Sequence, residues 1–218
     1  MSNVALIAGA TGLVGGSLLE LLLQDDHYEK VISLQRGQAI LIHPKLVTIE
    51  TDFTDLEEIL LPIVTNVFCC LGTTIKNAGS KEQFRKVDYI FPLALARCAA
   101  KANAANFLII TSMGANASSN FFYNKVKGEL EDQLALIKDI PTISVLRPSL
   151  LLGKRVEKRI GESVGIALIE GINKVFKTDI GIQSKVVSKA MYILAKHAKQ
   201  KGITFYSSTQ IKEIAASA

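Results

Sequence analysis

Val4-Ala5-Leu6-Ile7-Ala8-Gly9-Ala10-Thr11-Gly12-Leu13-Val14-Gly15-Gly16 decides the fold. An apolar run ends in a glycine-rich turn, and the turn opens onto Leu18-Leu19-Glu20-Leu21-Leu22-Leu23. The order is strand, turn, helix. Glycines at 9, 12 and 15 permit a tight turn, close approach of a pyrophosphate to the backbone and close packing of helix on strand. The helix start adds unpaired N–H groups and the positive end of a dipole. Gly9, Ala10, Thr11, Gly12, Leu13, Val14 and Gly15 are therefore expected to hold a dinucleotide. Their Gly-x-x-Gly-x-x-Gly spacing differs from the Gly-x-Gly-x-x-Gly of many dehydrogenases.

Outward from this turn, apolar strands alternate with amphipathic helices, the pattern of a parallel sheet covered on both faces. Strands are expected at 3–8, 30–35, 46–50, 66–71, 106–111, 142–146 and 203–206. Helices are expected at 13–24, 55–60, 81–102 with a bend at Pro92, 122–138, 185–199 and from 209 onward. The expected fold is α/β, a doubly wound parallel sheet of about seven strands. Residues 1–218 form a single domain in this reading. Residues 152–183 break the rhythm and read as a substrate-side insertion, or lid, at the carboxyl edge of the sheet. Ligands bind at that edge in open α/β sheets.

Composition narrows the field. The 218 residues are 49% hydrophobic and 21% charged, which suits one globular domain. The net charge of +5 is spread along the chain, without the clustered basic face that nucleic acid requires. No apolar stretch reads as a stable membrane insertion, and no charged leader with a cleavage site stands at the start. Cys69, Cys70 and Cys98 have no metal or redox spacing and read as packed strand and helix thiols. No metal site is expected. A reducing compartment follows, and a cytoplasmic setting is the expectation.

Further chemistry is expected at the strand ends. Strand two finishes Leu34-Gln35-Arg36-Gly37, without the carboxylate that holds ribose hydroxyls in NAD-specific folds. Arg36 can instead pair with a 2′-phosphate through its guanidinium fork, so NADP(H) is expected over NAD(H). At Thr51-Asp52-Phe53, Asp52 either accepts from the adenine amino group or caps the short helix that follows, and the Phe53 backbone offers an N–H. At Leu71-Gly72-Thr73 a glycine either lets the backbone lie against the cofactor or merely ends a strand.

Tyr123-Asn124-Lys125-Val126-Lys127 carries the catalytic signal. Tyr123 and Lys127 are i and i+4 on one helix face. A nearby ammonium favours phenolate and draws a tyrosine toward general acid–base work. Ser112, at the end of strand five, is placed to bond a substrate carbonyl or alcohol. The basic run 154–159 either holds an acidic group or is a solvated loop.

These residues resemble the short-chain dehydrogenases/reductases. Gly-Ala-Thr-Gly-x-x-Gly, the Ser112/Tyr123/Lys127 set and Leu146-Arg147-Pro148 carry the likeness. Cys70 to Thr74, Val87-Asp88-Tyr89, Ser112 to Asn116, Tyr123 to Glu129 and Arg147 to Arg155 are similar to the atypical branch that includes the HIV Tat-interacting protein and its bacterial relatives. The resemblance implies a Rossmann domain binding NADP(H), Tyr123 as acid–base, Lys127 as ribose holder and activator, and Ser112 as substrate polariser. It also puts Pro148, the Leu150 backbone and Arg155 near the nicotinamide half. One departure stands out. Many active members carry an Asn in the long central helix for a proton relay, and this helix has Asp88 and Tyr89 there.

Two functions are compatible with these residues. One is an NADP(H)-dependent oxidoreductase acting on a small carbonyl or alcohol substrate. The other is a catalytically weak NADP(H)-binding regulator or redox sensor acting through a protein partner. The resemblance adds the expectation of a homodimer through the long helices.

Overall fold

A computed structural model describes residues 3–37, 41–59, 61–152, 181–197 and 201–217. Strands β1 (Asn3–Ala8), β2 (Tyr28–Gln35), β3 (Leu46–Glu50), β4 (Asn66–Cys69), β5 (Asn106–Ile110), β6 (Thr142–Arg147) and β9 (Gly202–Ser207) form one seven-stranded sheet in the order β3-β2-β1-β4-β5-β6-β9. Every neighbouring pair in it is parallel. β7 (Leu150–Leu152) and β8 (Gly181–Gln183) make a separate two-stranded parallel ladder. The helices are α1 (Leu13–Gln24), α2 (Ile75–Ala78), α3 (Lys81–Arg85), α4 (Phe91–Lys101), α5 (Phe122–Ala135), α6 (Ser184–His197) and α7 (Ser208–Ala216).

The strands are apolar on both faces because both faces are covered. Leu6, Ile32, Val67, Phe107 and Ile143 pack with Leu95 and Ala99 of α4 and Leu130 and Leu134 of α5. On the other face Ala5, Ile7, Phe68, Leu108 and Leu146 pack with Leu18 and Leu22 of α1, Val187 and Met191 of α6 and Ile211 of α7. Cys69 and Cys70 fall to opposite faces, as adjacent strand residues must.

Strand order reverses between β1 and β4. Connections from β1 run outward one way and those from β4 the other, which opens a crevice at their carboxyl ends. Gly9, Arg36, Asp52, Gly72, Ser112 and Pro148 all follow strands at that edge.

Several elements differ from the sequence reading, among them α2 and β7, which it did not anticipate. The helix expected over 55–60 is a single 3₁₀ turn, Leu56–Glu58. The 152–183 stretch is anchored by β8, which pairs with β7 through Leu150↔Gly181 and Leu152↔Gln183; residues 153–180, the rest of the expected insertion, lie outside the described residues. The long helix, expected to bend at Pro92, is interrupted just before that residue. Its middle, Lys86–Ile90, is a π turn, closed where the Phe91 N–H donates to the Lys86 carbonyl. Pro92 has no N–H to give the carbonyl of Asp88, so the α-helical ladder fails there in any case. The wider turn precedes it and brings Asp88 to 1% exposure.

Candidate functional site

The glycine turn is shaped from two sides. Gly9 has φ +88, and a Cβ on it would sit 2.5 Å from the Cys70 carbonyl oxygen. A Cβ on Gly15 would sit 2.1 Å from the Gly9 carbonyl oxygen. The Gly12 N–H donates to that same oxygen at 3.0 Å. Gly12 caps α1 without a side chain, and the first turn holds no acidic residue. The opening N–H groups of α1 therefore meet neither an intrahelical acceptor nor a repelling carboxylate. This cradle fits a pyrophosphate.

Beside it, Arg36 is exposed at the end of β2, while Gln35 is buried and accepts from the Ser33 hydroxyl at 3.5 Å. Asp52 is exposed, and its Oδ1 accepts from the Thr54 hydroxyl at 2.6 Å and the Thr54 amide at 2.9 Å. Those bonds hold its carboxyl below the usual range. Asp52 does not cap the 3₁₀ segment, whose N-cap is Asp55 without a side-chain bond; its carboxylate closes a turn onto Thr54 instead. The Phe53 amide is not offered to a ligand: it donates to Thr51 Oγ1 at 3.0 Å. Phe53 has φ +70 with its ring buried, 5.8 Å from that of Phe91.

The end at which catalysis is expected is built from the segment after β4, the π turn, the end of β5 and α5. Lys127 Nζ lies 2.7 Å from Asp88 Oδ1, and both side chains are almost wholly buried. The other carboxylate oxygen accepts the Thr73 amide at 2.9 Å. Gly72 lies over this pair: a Cβ there would be 3.5 Å from Asp88 Oδ1 and 4.0 Å from Lys127 Nζ. Burial pulls Lys127 down, but the Asp88 carboxylate and then Tyr123 outweigh it, and the ammonium is held above its usual range.

Tyr123 begins the same helix face, its ring 5.4 Å from the buried Phe84. Its hydroxyl has no hydrogen bond among the described residues. Ser112, 9% exposed, has a buried Oγ that is likewise unpartnered. Two tethers fix Ser112. The Met113 amide donates to the Pro148 carbonyl at 2.9 Å. Thr111 donates to Glu131 of α5 at 2.6 Å, and Glu131 also takes Arg147. The loop after Ser112 lies directly on α5: a Cβ at Gly128 would come within 2.1 Å of the Ala117 nitrogen and 2.2 Å of the Asn116 carbonyl carbon. Gly128 is what lets the serine loop reach the tyrosine helix.

The structure thus gathers Gly9 to Gly15, Arg36, Asp52, Gly72, Ser112, Tyr123, Lys127 and Pro148 along one edge. The Leu150 side chain is exposed at the start of β7. Arg155 lies outside the described residues. Sequence reasoning missed the Asp88–Lys127 pair, the Glu131 bridge and the role of Gly128. Pro92, four residues beyond Asp88, was the available sign that the helix loosens there. A cavity of about 550 Å³ lies away from these residues, lined by Leu152, Ile182, Lys185 and Ala215 among others. Among the described residues no metal-binding cluster forms, and no helix is long and apolar enough to cross a membrane.

Comparison with known proteins agrees with this architecture. The HIM1 family model matches residues 35–178. The fmp52 protein of Emericella nidulans, named mitochondrial, is 35% identical over 87% of this chain and 85% of its own. FMP52-1 of Scheffersomyces stipitis, also named mitochondrial, is 28% identical over 96% and 97%. Among solved structures, a short chain dehydrogenase family protein from Francisella tularensis matches with TM-score 0.73 at 15% identity over 96% of this chain and 99% of that one. The human epimerase family protein SDR39U1, solved with NADPH, matches with TM-score 0.64 at 15% identity over 93% and 73%. The fold is that of the Rossmann-type short-chain dehydrogenases/reductases and epimerases. The relatives' names overturn the cytoplasmic expectation. Cysteine usage separates oxidising from reducing compartments and does not tell one reducing compartment from another.

Proposed function

This chain belongs to the HIM1 family, and on that premise we propose that it is an NADP(H)-dependent oxidoreductase for a small carbonyl or alcohol substrate. The observation that carries the reading is the buried, unpartnered Ser112 Oγ at the carboxyl edge of a dinucleotide fold, with Tyr123 and the buried Lys127 one helical turn apart on the helix that the serine loop packs against. Folded proteins satisfy buried hydroxyls, so an unpartnered one at a crevice suits a ligand oxygen.

In this reading the turn from Gly9 to Gly15 holds the pyrophosphate through backbone N–H groups. Arg36 holds a 2′-phosphate, and the Gly72 backbone faces the cofactor. The nicotinamide, when bound, supplies or accepts the hydride. Ser112 Oγ orients the substrate oxygen by hydrogen bond, and the Tyr123 hydroxyl gives that oxygen its proton or takes it back. Lys127 would hold the nicotinamide ribose.

The test is turnover of a panel of aldehydes, ketones and quinones with NADPH, beside titrations of NADPH and NADH. Tyr123→Phe is expected to abolish turnover and leave NADPH affinity intact. Arg36→Ala is expected to weaken NADPH about 10- to 100-fold, the equivalent of one charge-assisted hydrogen bond of ~1.5–3 kcal/mol, and to leave NADH unchanged. NADH binding as tight as NADPH in the parent sinks the cofactor assignment. Tight NADPH binding with no turnover on any substrate sinks the enzyme reading and leaves the regulator.

A further inference from the structure

Exposed apolar side chains scattered singly need no explanation, whereas several gathered at one place mark a binding surface. Among the described residues, Ile75, Met113 and Leu150 are exposed apolar side chains. They stand just beyond the carboxyl ends of β4, β5 and β6, three strands that neighbour one another in the sheet. Phe121, 75% exposed, directly precedes α5, two residues before Tyr123. Hydrogen bonds hold these segments to one another. The Met113 amide on the Pro148 carbonyl ties the end of β5 to the chain entering β7. The Asn116 amide donates to the Asn124 carbonyl at 3.0 Å and seats the loop after Met113 on the first turn of α5. The Thr73 amide joins the end of β4 to Asp88, and Asp88 holds Lys127 of α5.

The same segments carry no charge. Residues 70–75, 111–124 and 148–152 contain no Asp, Glu, Lys or Arg, in a chain of which 21% is charged. Two ionic groups of the flanking elements are matched internally: Lys127 with Asp88, and Arg147 with Glu131 and the Phe205 ring. Lys76 and Lys125 border the uncharged stretches and are exposed; they are the cations that a negatively charged ligand would use. Next to Met113 in the chain, Ser112 Oγ is buried and has no partner. A ligand suited to both features carries an oxygen on an apolar body. A sugar or a phosphorylated compound would set further oxygens against Met113 and Phe121, where covering them unpaired is costly.

Resting on the reading of Ser112 as the partner of the substrate oxygen, we propose that Ile75, Met113, Phe121 and Leu150 form an apolar rim that selects carbonyl compounds, or their alcohols, whose reacting oxygen is their only polar group. The substrate class is then the aliphatic or aromatic ketones and aldehydes, and not sugars, keto acids or nucleotide-linked compounds. Ser112 supplies the one hydrogen bond, and the rim covers the tail. Selection comes from apolar area removed from water, about a 2- to 4-fold gain in affinity for each methylene covered. A charged or hydroxylated tail forgoes that gain and gives up hydration as well.

The Met113 methyl serves as the reporter. The chain has three methionines, and with methionine labelled at the methyl carbon the Met113 NMR signal is identified by its loss in Met113→Leu. The full chain, saturated with oxidised NADP or NAD so that no hydride can pass, is titrated with methyl ketones whose tails run from methyl to octyl. Hydroxyacetone and a ketone of octyl length ending in a carboxylate complete the set. Kd is expected to fall about 2- to 4-fold for each of the first methylenes added, and the hydroxylated and carboxylate-ended ketones are expected to bind about 10-fold or more weakly than the octyl ketone. Phe121→Ser is expected to cut the octyl ketone's advantage about 10-fold. Leu136→Ser, which removes an exposed apolar side chain at the other end of α5, is expected to leave that advantage unchanged. A Kd indifferent to tail length, tighter binding of the carboxylate-ended ketone, an equal loss in Leu136→Ser, or no shift of Met113 with any ketone overturns the proposal. Turnover with NADPH is read separately. Reduction of hydroxylated carbonyls without preference for a tail upholds the oxidoreductase and sinks the rim, whereas tail-dependent binding without turnover upholds the rim and sinks the oxidoreductase.

Discussion

The chain holds two Tyr-x-x-x-Lys pairs, and only one sits at the crevice. Tyr123 and Lys127 open α5 at the carboxyl edge of the sheet. Tyr192 and Lys196 close α6 near the opposite edge, where α1 ends at Asp25. Both pairs face a carboxylate. Asp25 Oδ2 takes the Tyr192 hydroxyl at 2.8 Å and Lys196 Nζ at 3.0 Å, and the lysine also donates to the tyrosine oxygen at 3.2 Å. That tyrosine is spent as a donor in a staple between α1 and α6. Burial and the Asp25 carboxylate push its hydroxyl up. At the other pair the carboxylate takes the lysine and the Thr73 amide but not the tyrosine, whose hydroxyl has no hydrogen bond among the described residues. The motif is identical; the strand end beside it and the carboxylate's choice of partner make the difference.

The sharpest way to break this comparison is turnover. Tyr123→Phe is expected to cost about 10²- to 10⁴-fold in kcat, the usual weight of a positioned acid–base group. Tyr192→Phe is expected to turn over like the parent, and equal losses in both would erase the distinction. Denaturant unfolding sharpens it next. Lys127→Ala strands the Asp88 charge in the interior and is expected to cost about 3–5 kcal/mol. Lys196→Ala, at a partly solvated staple, is expected to cost under about 1 kcal/mol.

Gly128→Ala forces the backbone of 116–117 off α5 and is expected to cost about 1–3 kcal/mol, with a loss of turnover because Ser112 moves with that loop. The smallest effect is a pH dependence. Burial raises the Asp25 carboxyl, but the His27 amide, Lys196 and Tyr192 together hold it below its ordinary value of 3.8. Its contribution is therefore present above that value and fades as the pH falls through the lowered one. Asp25→Asn is expected to flatten stability between pH 3.8 and the acid limit by under about 1 kcal/mol, and to leave the neutral range almost untouched.

Sheet and helices were legible because two-sided burial writes nearly continuous apolar strands, and the glycine turn marks the first crossover. The order of strand ends places Ser112 and Tyr123 on one edge. Asp88 was legible only as a departure from a pattern. Its orientation depends on a π turn, and turn type there follows from a carbonyl that Pro92 cannot serve, a relation of backbone bonds that apolar periodicity does not carry. The Glu131 bridge joins residues on three elements, which no local spacing encodes. The second Tyr-x-x-x-Lys pair was equally plain in the sequence. Its place at the far edge of the sheet and its bonds to Asp25 set it aside.

Gly9 bears on how mutational data for this fold should be interpreted. Its missing Cβ makes room for the Cys70 carbonyl of the neighbouring strand as well as for the turn. Any side chain there would pry β1 from β4 where the crevice opens. In a growth or abundance screen, Gly9 variants would vanish with the insoluble fraction before ligand binding was ever sampled. Gly12, whose Cβ would lie 3.2 Å from the Gly9 oxygen and touch no other strand, is the position at which a weakened cofactor grip can be measured on protein that still accumulates.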